Sequence, residues 1–388
     1  THLDEARSTF MEALKPASMG SVQVALSAAL GRILAENVMA EGDLPPFDRS
    51  AVDGYAVRSS DTFEASQFNP KVFKLTQEKG VDPKEARQIW TGSPLPPGAD
   101  AVVMLEHTRR TGEGIEVWAS LTPGENVSKR GEDVKRGEVA LKAGIRLGAH
   151  HMALLAALRK THVNVAKKPL VALLSTGNEL VELGREPEPH QVIDVNRLTL
   201  SSMCLELGAE TLDLGIAKDD AEEIGAKIRE ALGKADVIIV TGGTSVGYAD
   251  LVPTVVSQMG KPGIIVHGIA MRPGMPTALA VLQDKPIFIF SGNPVAAMVG
   301  FEVFARPLIL KLLGVENEPR PMVKARLTQR VASTLGRRVF LRVKVFEEGG
   351  DFFAEPIRVT GSGILTTMTK ANGYVIIPEN REGVDQGE

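Results

Sequence analysis

The sequence predicts a multidomain protein of α/β plus β class, and three stretches carry that reading. Between Leu170 and Phe290, buried-type apolar runs alternate with helical periods, the grammar of an α/β domain. From Ala56 to about Leu141 there is no helical period, only short β-rich runs separated by Gly and Pro. After Pro319, strict alternation (Val339-Phe340-Leu341-Arg342-Val343-Lys344-Val345-Phe346) signals half-buried antiparallel strands. At 388 residues the chain exceeds what one core serves, so two to four domains of roughly 100 to 200 residues are expected.

In chain order, Leu3 to about Leu14 reads as a short helix, and Val24 to Leu34 as another, with Leu30, Ile33 and Leu34 on one face. The segment Leu44-Pro45-Pro46-Phe47-Asp48-Arg49-Ser50-Ala51-Val52-Asp53-Gly54-Tyr55-Ala56-Val57 is a proline-stiffened loop entering a strand; composition alone favours an ordinary turn there. In the small β domain that follows, Val72–Leu75, Ala101–Leu105 and Ile115–Trp118 are the strands. Thr91 sits in a second stiffened loop, and Arg130-Gly131-Glu132-Asp133 offers a basic and acidic pair. His150 to Leu158 reads as a helix whose adjacent histidines, His150 and His151, face different sides and cannot chelate as an i, i+4 pair would.

The α/β part reads strand, helix (Asn196 to Leu207, then Gly208), strand (Thr211 to Gly215), helix (Asp220 to Leu232, then Gly233), strand, with a left-handed glycine cap after each helix. Asp219 and Asp220 stand where carboxylates cap a helix. Three strands empty into small polar loops: Ser175-Thr176-Gly177-Asn178-Glu179, Thr241-Gly242-Gly243-Thr244-Ser245-Val246-Gly247, and Ser291-Gly292-Asn293-Pro294. In an open parallel sheet, ligands sit in the crevice beyond such carboxyl ends, where helix N-termini and loop N–H groups converge. Asn293 as N-cap and Pro294 in the first turn mark a further helix start, whose N–H groups suit an anion.

Composition excludes several classes. A net charge of −4 does not suit broad nucleic-acid binding. Eight basic residues and no acidic one between Arg320 and Phe346 read as a solvated strand face, with an anionic ligand or partner second. The single cysteine, Cys204, rules out an internal disulfide or a Cys-rich zinc site and suggests a reducing compartment. No apolar run reaches the roughly 18 residues a membrane helix needs, and the N-terminal residues show no secretory pattern, so a cytoplasmic location is expected.

GxxxxGK[ST], HExxH and CxxC are all absent. Gly243-Thr244-Ser245-Val246-Gly247 matches a GxSxG nucleophile elbow, but the only downstream histidine, His267, comes too soon for a hydrolase fold, so Ser245 reads as a loop donor. What remains is a set of loop carboxylates, Asp53, Asp133, Glu179, Asp219 and Asp250, with Arg272 and several glycines. Without thiols or paired histidines, such a set suits a hard cation such as Mg²⁺ beside a phosphate.

The segments PPFDRSAVDGYAV, TGSPLPPGADAVV, RGEDV, LLSTGNEL, TGGTSVGYAD, RPGMP and SGNPVAA, in this order over nearly the whole chain, resemble the molybdopterin molybdenumtransferases, that is, MoeA and the corresponding domain of gephyrin. The resemblance implies a helical linker domain (1–45 and 141–168), an inserted β domain (46–140), a three-layer MogA-like α/β domain (169–315) and a barrel-like C-terminal β domain (316–388). It implies insertion of molybdate or tungstate into the dithiolene of adenylylated molybdopterin, with Mg²⁺-dependent release of AMP. It also implies a homodimer whose site is shared between subunits, with molybdopterin adenylyltransferase and molybdoenzymes as possible further partners.

Carried over residue by residue, the catalytic set is Asp53, Thr91, Asp133, Glu179, Asp219 and Asp250, with Asp219 and Asp250 also on the metal. Thr176, Gly177, Gly242, Gly243, Ser245, Gly247, Arg272, Ser291, Gly292, Asn293 and Pro294 hold the ligand. Where many relatives read PGNP, KPGKP and FDNSAMDGYA, this chain has SGNP, RPGMP and FDRSAVDGYA, so Met275 replaces a lysine while Arg272 keeps a charge and adds a planar fork. The α/β part alone also resembles the molybdopterin adenylyltransferases and the CinA domain, which is the alternative reading, although neither explains FDRSAVDGYAV or the inserted β domain. A scaffold role on the same fold, as in gephyrin, is a third.

Overall fold

The computed structural model describes residues 1–243, 251–316, 318, 320–357 and 361–388. The chain divides into two compact units, one of Thr1–Val22, Gly31–Ala35 and Val165–Glu388, the other of Gln23–Leu30 and Glu36–Asn164. Among the described residues, no helix is long and apolar enough to cross a membrane.

The first helix, α1 (Leu3–Leu14), forms as expected and buries Leu3, Ala6 and Phe10 on one stripe. The expected helix over Val24 to Leu34 does not form. Ser21–Ala25 is a strand, Leu26–Ala28 a single 3₁₀ turn, and Gly31 lies at φ +75°. The β-branched Val22 and Val24 favour extension, and the left-handed glycine stops any helix before Ile33. Leu30 is accordingly 63% exposed while Ile33 and Leu34 are buried, so their spacing is not a helical face.

In the second unit, β1 (Gly54–Val57), β2 (Lys71–Leu75), β3 (Glu85–Ile89), β4 (Ala101–Met104), β5 (Thr108–Thr111) and β6 (Gly114–Val117) make a six-stranded sheet in the order β4-β1-β3-β2-β6-β5. Tyr55, Val57, Phe73, Val103, Ile115 and Val117 form its core. In α2 (Ala149–Ala157), His150 and His151 do not diverge: their ring centroids are 3.9 Å apart. His151 turns back so that its Nδ1 accepts the Gly148 N–H at 2.9 Å, capping the helix and bringing its ring against His150.

In the first unit the elements are β7 (Leu170–Thr176), α3 (Asn196–Leu207), β8 (Glu210–Ala217), α4 (Ala221–Lys234), β9 (Val237–Thr241), α5 (Leu251–Met259), β10 (Pro262–His267), β11 (Ala278–Leu282), β12 (Lys285–Phe290), α6 (Pro294–Gly300) and α7 (Arg306–Leu312). The sheet order is β8-β7-β9-β12-β11-β10, and both faces are covered: Val171 and Leu173 point into one apolar cluster, Ala172 and Leu174 into the other. That is why the strands read as continuous apolar runs. The sheet is mixed, not wholly parallel. β8, β7, β9 and β12 run parallel, but β11 pairs antiparallel with both β12 and β10. Gln283 and Asp284, at φ +51° and +59°, make the tight hairpin turn that reverses the chain.

Gly208 caps α3 at φ +92° as expected. Gly233 does not cap α4. The helix runs through it to Lys234 and ends on extended Ala235, because β9 starts at Val237 and leaves no room for a left-handed turn. At the C-terminus, β13 (Arg338–Glu348) pairs antiparallel with β14 (Asp351–Pro356) and β15 (Gly373–Ile377), and residues Met271–Arg272 add to β13 in parallel. The basic stretch is not one solvated face: Arg342 is 3% exposed.

Candidate functional site

The carboxyl ends of β7, β9 and β12 lie side by side, and the loops leaving them are stitched together. Ser175 Oγ and Thr241 Oγ1 are 3.0 Å apart, the Gly242 N–H donates to Phe290 O at 3.0 Å, and the Gly177 N–H donates to Ala217 O at 3.2 Å at the end of β8. Glycine is required here for contact as well as conformation. At Gly242 (φ +93°) a Cβ would stand 2.2 Å from Thr176 O; at Gly243 (φ +64°) it would stand 2.6 Å from Val252 Cγ2. Thr176, Gly177, Gly242 and Gly243 therefore form one cluster, with Gly292 against Gly242.

Beside this cluster lies a cavity of about 490 Å³ lined by Arg272, Pro273 to Pro276, Ser291, Asn293, Arg337, Arg342 and Ser362, among others. The pairing of Met271–Arg272 with β13 brings Arg272 against the C-terminal sheet and its arginines. Burial holds Arg342 below its ordinary pKa, and repulsion from Arg272 adds to the shift. Two cations close enough to repel, one of them buried, are a setting that an oxyanion would relieve. The expected anion site at the start of α6 is partly taken, since the Val295 N–H donates to Ser362 O at 3.0 Å.

Glu179 and Asp219 lie on adjoining loops. Asp219 Oδ2 accepts the Asn178 N–H at 3.3 Å, and the Asp219 N–H donates to Asn178 Oδ1 at 3.2 Å. The cap of α4 is Asp220, whose side chain accepts the Glu223 N–H at 2.9 Å, so capping accounts for Asp220 and not for Asp219. The Glu179 carboxylate folds over Gly177, within 2.7 Å of where a Cβ would stand.

In the second unit, Asp53 and Thr91 meet. Asp53 Oδ1 accepts the Thr91 hydroxyl at 2.6 Å and the Thr91 N–H at 2.7 Å, and these two bonds hold its carboxyl below the usual range. The Thr91 loop is sewn to the Pro45-to-Asp53 segment by Gly92 N–H to Ser50 O and Leu95 N–H to Asp48 O. Asp133 hangs from the other end of that segment by its N–H to Leu44 O, with its side chain exposed. Arg130 pairs with Asp43, not with its acidic neighbours.

Ser245, Gly247 and Asp250 lie outside the described residues. Among the described residues, no three His, Cys, Asp or Glu side chains converge as a metal site. The sequence reads Arg337 and Arg342 first as part of a solvated strand face and only second as facing an anionic ligand, and it does not single out Ser362; the place of all three in the cavity depends on a pairing between distant segments. The sequence reading also passed over Asp194, Asn196 and Arg197. Here a signal existed: two charged residues and an amide directly after the strand-like Val192-Ile193, where a helix was expected to start.

Residues 1–158 match the family model of the MoeA N-terminal region (domain I and II), residues 172–311 that of the “probable molybdopterin binding domain”, and residues 324–388 that of the MoeA C-terminal region (domain IV). The molybdopterin molybdenumtransferase of Bacillus subtilis is 36% identical, over 94% of this chain and 87% of that protein; that of Haemophilus influenzae is 34% identical, over 100% and 96%. Two crystal structures of molybdopterin biosynthesis MoeA protein from Pyrococcus horikoshii superpose with TM-scores of 0.82 and 0.85, at 39% and 32% identity, each covering 100% of this chain and 97% or 98% of theirs. The chain belongs to the MoeA family of molybdopterin molybdenumtransferases.

Proposed function

We propose that the protein is a molybdopterin molybdenumtransferase of molybdenum cofactor biosynthesis, which inserts molybdate or tungstate into the dithiolene of adenylylated molybdopterin and releases AMP. The observation that carries this reading is the arginine-lined cavity next to the glycine cluster, in a chain that matches molybdopterin molybdenumtransferases over nearly its whole length. Arg272, Arg337 and Arg342, with the hydroxyls of Ser291 and Ser362, suit a tetrahedral oxyanion. The glycine turn packs directly against the loop after β7, with the Gly242 and Gly177 N–H groups donating within the protein, and so keeps the loops beside this cavity tight.

Mg²⁺ fits the donor set, since it favours one or two carboxylates plus substrate phosphates over an all-protein cage. Asp219, exposed and not needed as a cap, would hold it together with Asp250; when bound, it neutralises charge on the phosphate during AMP release. The protein works as a homodimer in this reading, with Asp53, Thr91 and Asp133 of the partner subunit completing the site. Exposed Leu198 and Leu205 on one face of α3, with exposed Leu183, Val192 and Ile193 nearby in sequence, favour a second copy as the cover. The lone, buried Cys204 agrees with a cytoplasmic setting.

The test mixes purified protein with adenylylated molybdopterin, Mg²⁺ and either oxyanion, then follows AMP release and reconstitution of a cofactor-free molybdoenzyme. Oxyanion-dependent release with reconstitution is expected; release without reconstitution would favour a nucleotide hydrolase instead.

A further inference from the structure

We propose that Asn196 is a positioning residue that sets the orientation of the Gly292–Asn293 peptide at the rim of the arginine-lined cavity. This rests on the reading of that cavity as the oxyanion site. The Asn196 side-chain amide donates to Gly292 O at 2.8 Å, across 96 residues of sequence. In a trans peptide the carbonyl and the next N–H point in opposite directions. Holding Gly292 O toward α3 therefore turns the Asn293 N–H away from it. On either side of that peptide, Ser291 and Asn293 line the cavity with Arg272 and Arg342.

Asn196 can do this because its own position is over-determined. Asp194, whose side chain is 1% exposed, accepts the Asn196 N–H through Oδ1 at 2.9 Å and Arg197 Nε through Oδ2 at 2.6 Å. Arg197 continues outward, donating to Asp213 Oδ1 and Glu182 Oε2 at 2.5 Å each. One guanidinium thus ties the first turn of α3 to β8 and to the segment after β7. The buried Asp194–Arg197 pair costs desolvation and returns a fixed geometry, while Asp213 and Glu182 hold the guanidinium from the exposed side. The Asn196 amide links this cluster to the loop whose Ser291 and Asn293 line the cavity. Gly292 also packs against Gly242, whose Cα lies 3.6 Å from where a Cβ would stand, so the amide bond and the glycine contact both hold the loop.

The test uses the full-length protein with molybdate as the probe, and compares Asn196→Ala and Asn196→Asp with Thr199→Val. Thr199 Oγ1 donates to Val195 O at 2.8 Å in the same turn, so its loss perturbs the helix without touching the loop. The alanine and aspartate variants should weaken molybdate binding about five-fold or more by calorimetry and raise the KM for molybdate more than they lower kcat. Thr199→Val should lower the melting temperature and leave molybdate binding unchanged. Equal weakening in all three would make the effect structural and overturn the proposal. A crystal structure of Asn196→Ala with the Gly292–Asn293 peptide in place would overturn it without reference to any ligand. If the wild-type protein binds no molybdate while that peptide does turn in Asn196→Ala, the cavity reading fails and the positioning role stands.

Discussion

Asn178 and Asp219 hold each other reciprocally, N–H to side-chain oxygen in both directions, at 3.3 and 3.2 Å. This pair locks the loop after β7 to the loop after β8 and leaves Asp220 to cap α4. The two neighbouring aspartates should therefore separate experimentally. Asp220→Ala is expected to cost about 1 kcal/mol of stability with turnover kept. Asp219→Asn is expected to keep the melting temperature while losing AMP release, with partial recovery at excess Mg²⁺. Normal release in Asp219→Asn at limiting Mg²⁺ would remove Asp219 from the chemistry.

That separation was not legible in the sequence, where both residues precede the same helix and only the register of the first turn decides which one caps. The strands and the polar loops after them were legible, because a sheet covered on both faces writes itself as unbroken apolar runs. The second helix was misread because Leu30, Ile33 and Leu34 imitate a helical period, which the strand at Ser21–Ala25 and the φ of Gly31 break. The antiparallel edge was missed because a Gln-Asp turn at positive φ lacks the usual Asn-Gly or Gly signature. The burial of Arg342 was not legible, since β13 alternates in sequence whether or not a neighbouring segment covers its outer face. Asp53 with Thr91, and Gly242 with Thr176, were named singly; their contacts required the fold.

Gly242 is the most sterically constrained residue of the cluster. Gly242→Ala places a Cβ 2.2 Å from Thr176 O, a backbone atom that cannot swing aside, and forces an L residue to φ +93°. The conformational term alone is about 1 to 2 kcal/mol, so a loss above about 2 kcal/mol is expected by urea titration, together with loss of ligand binding. Gly292→Ala is the contrast: its Cβ would find ordinary contact distances and should be tolerated by the fold. Equal stabilities for the two variants would refute this packing.

A pH-dependent contact joins the chain's beginning to its C-terminal sheet. Arg338 donates two bonds to Asp4, at 2.9 and 2.7 Å, and two to Glu379, both at 3.0 Å. Hydrogen bonding from Arg338 lowers the pKa of both carboxyls. A carboxyl whose folded pKa is depressed stabilises above its unfolded value and loses that contribution as pH falls through the folded one. The stability gap between wild type and Arg338→Met should thus be constant from pH 7 to about 5 and shrink below about pH 4. A gap that does not change down to pH 3, by thermal melting, would show that the network contributes nothing.

Met275 offers a gain-of-function test of the cavity. It lines the same cavity as Arg272, three residues along the same segment. Its side chain is partly exposed, while its backbone carbonyl accepts the Ile269 N–H at 2.9 Å, so Met275→Lys changes the lining and keeps the turn. A fourth, flexible cation beside Arg272, Arg337 and Arg342 adds attraction for a doubly charged oxyanion, but it also adds repulsion in the empty site. Molybdate affinity should therefore rise about five-fold at low salt while the ligand-free protein melts slightly lower, and both changes should shrink above about 0.5 M salt as the charges are screened. Arg272→Glu, which reverses the charge at the opposite end of the same short segment, should abolish binding. If Met275→Lys leaves the affinity as it was and Arg272→Glu still binds molybdate, the oxyanion is held elsewhere.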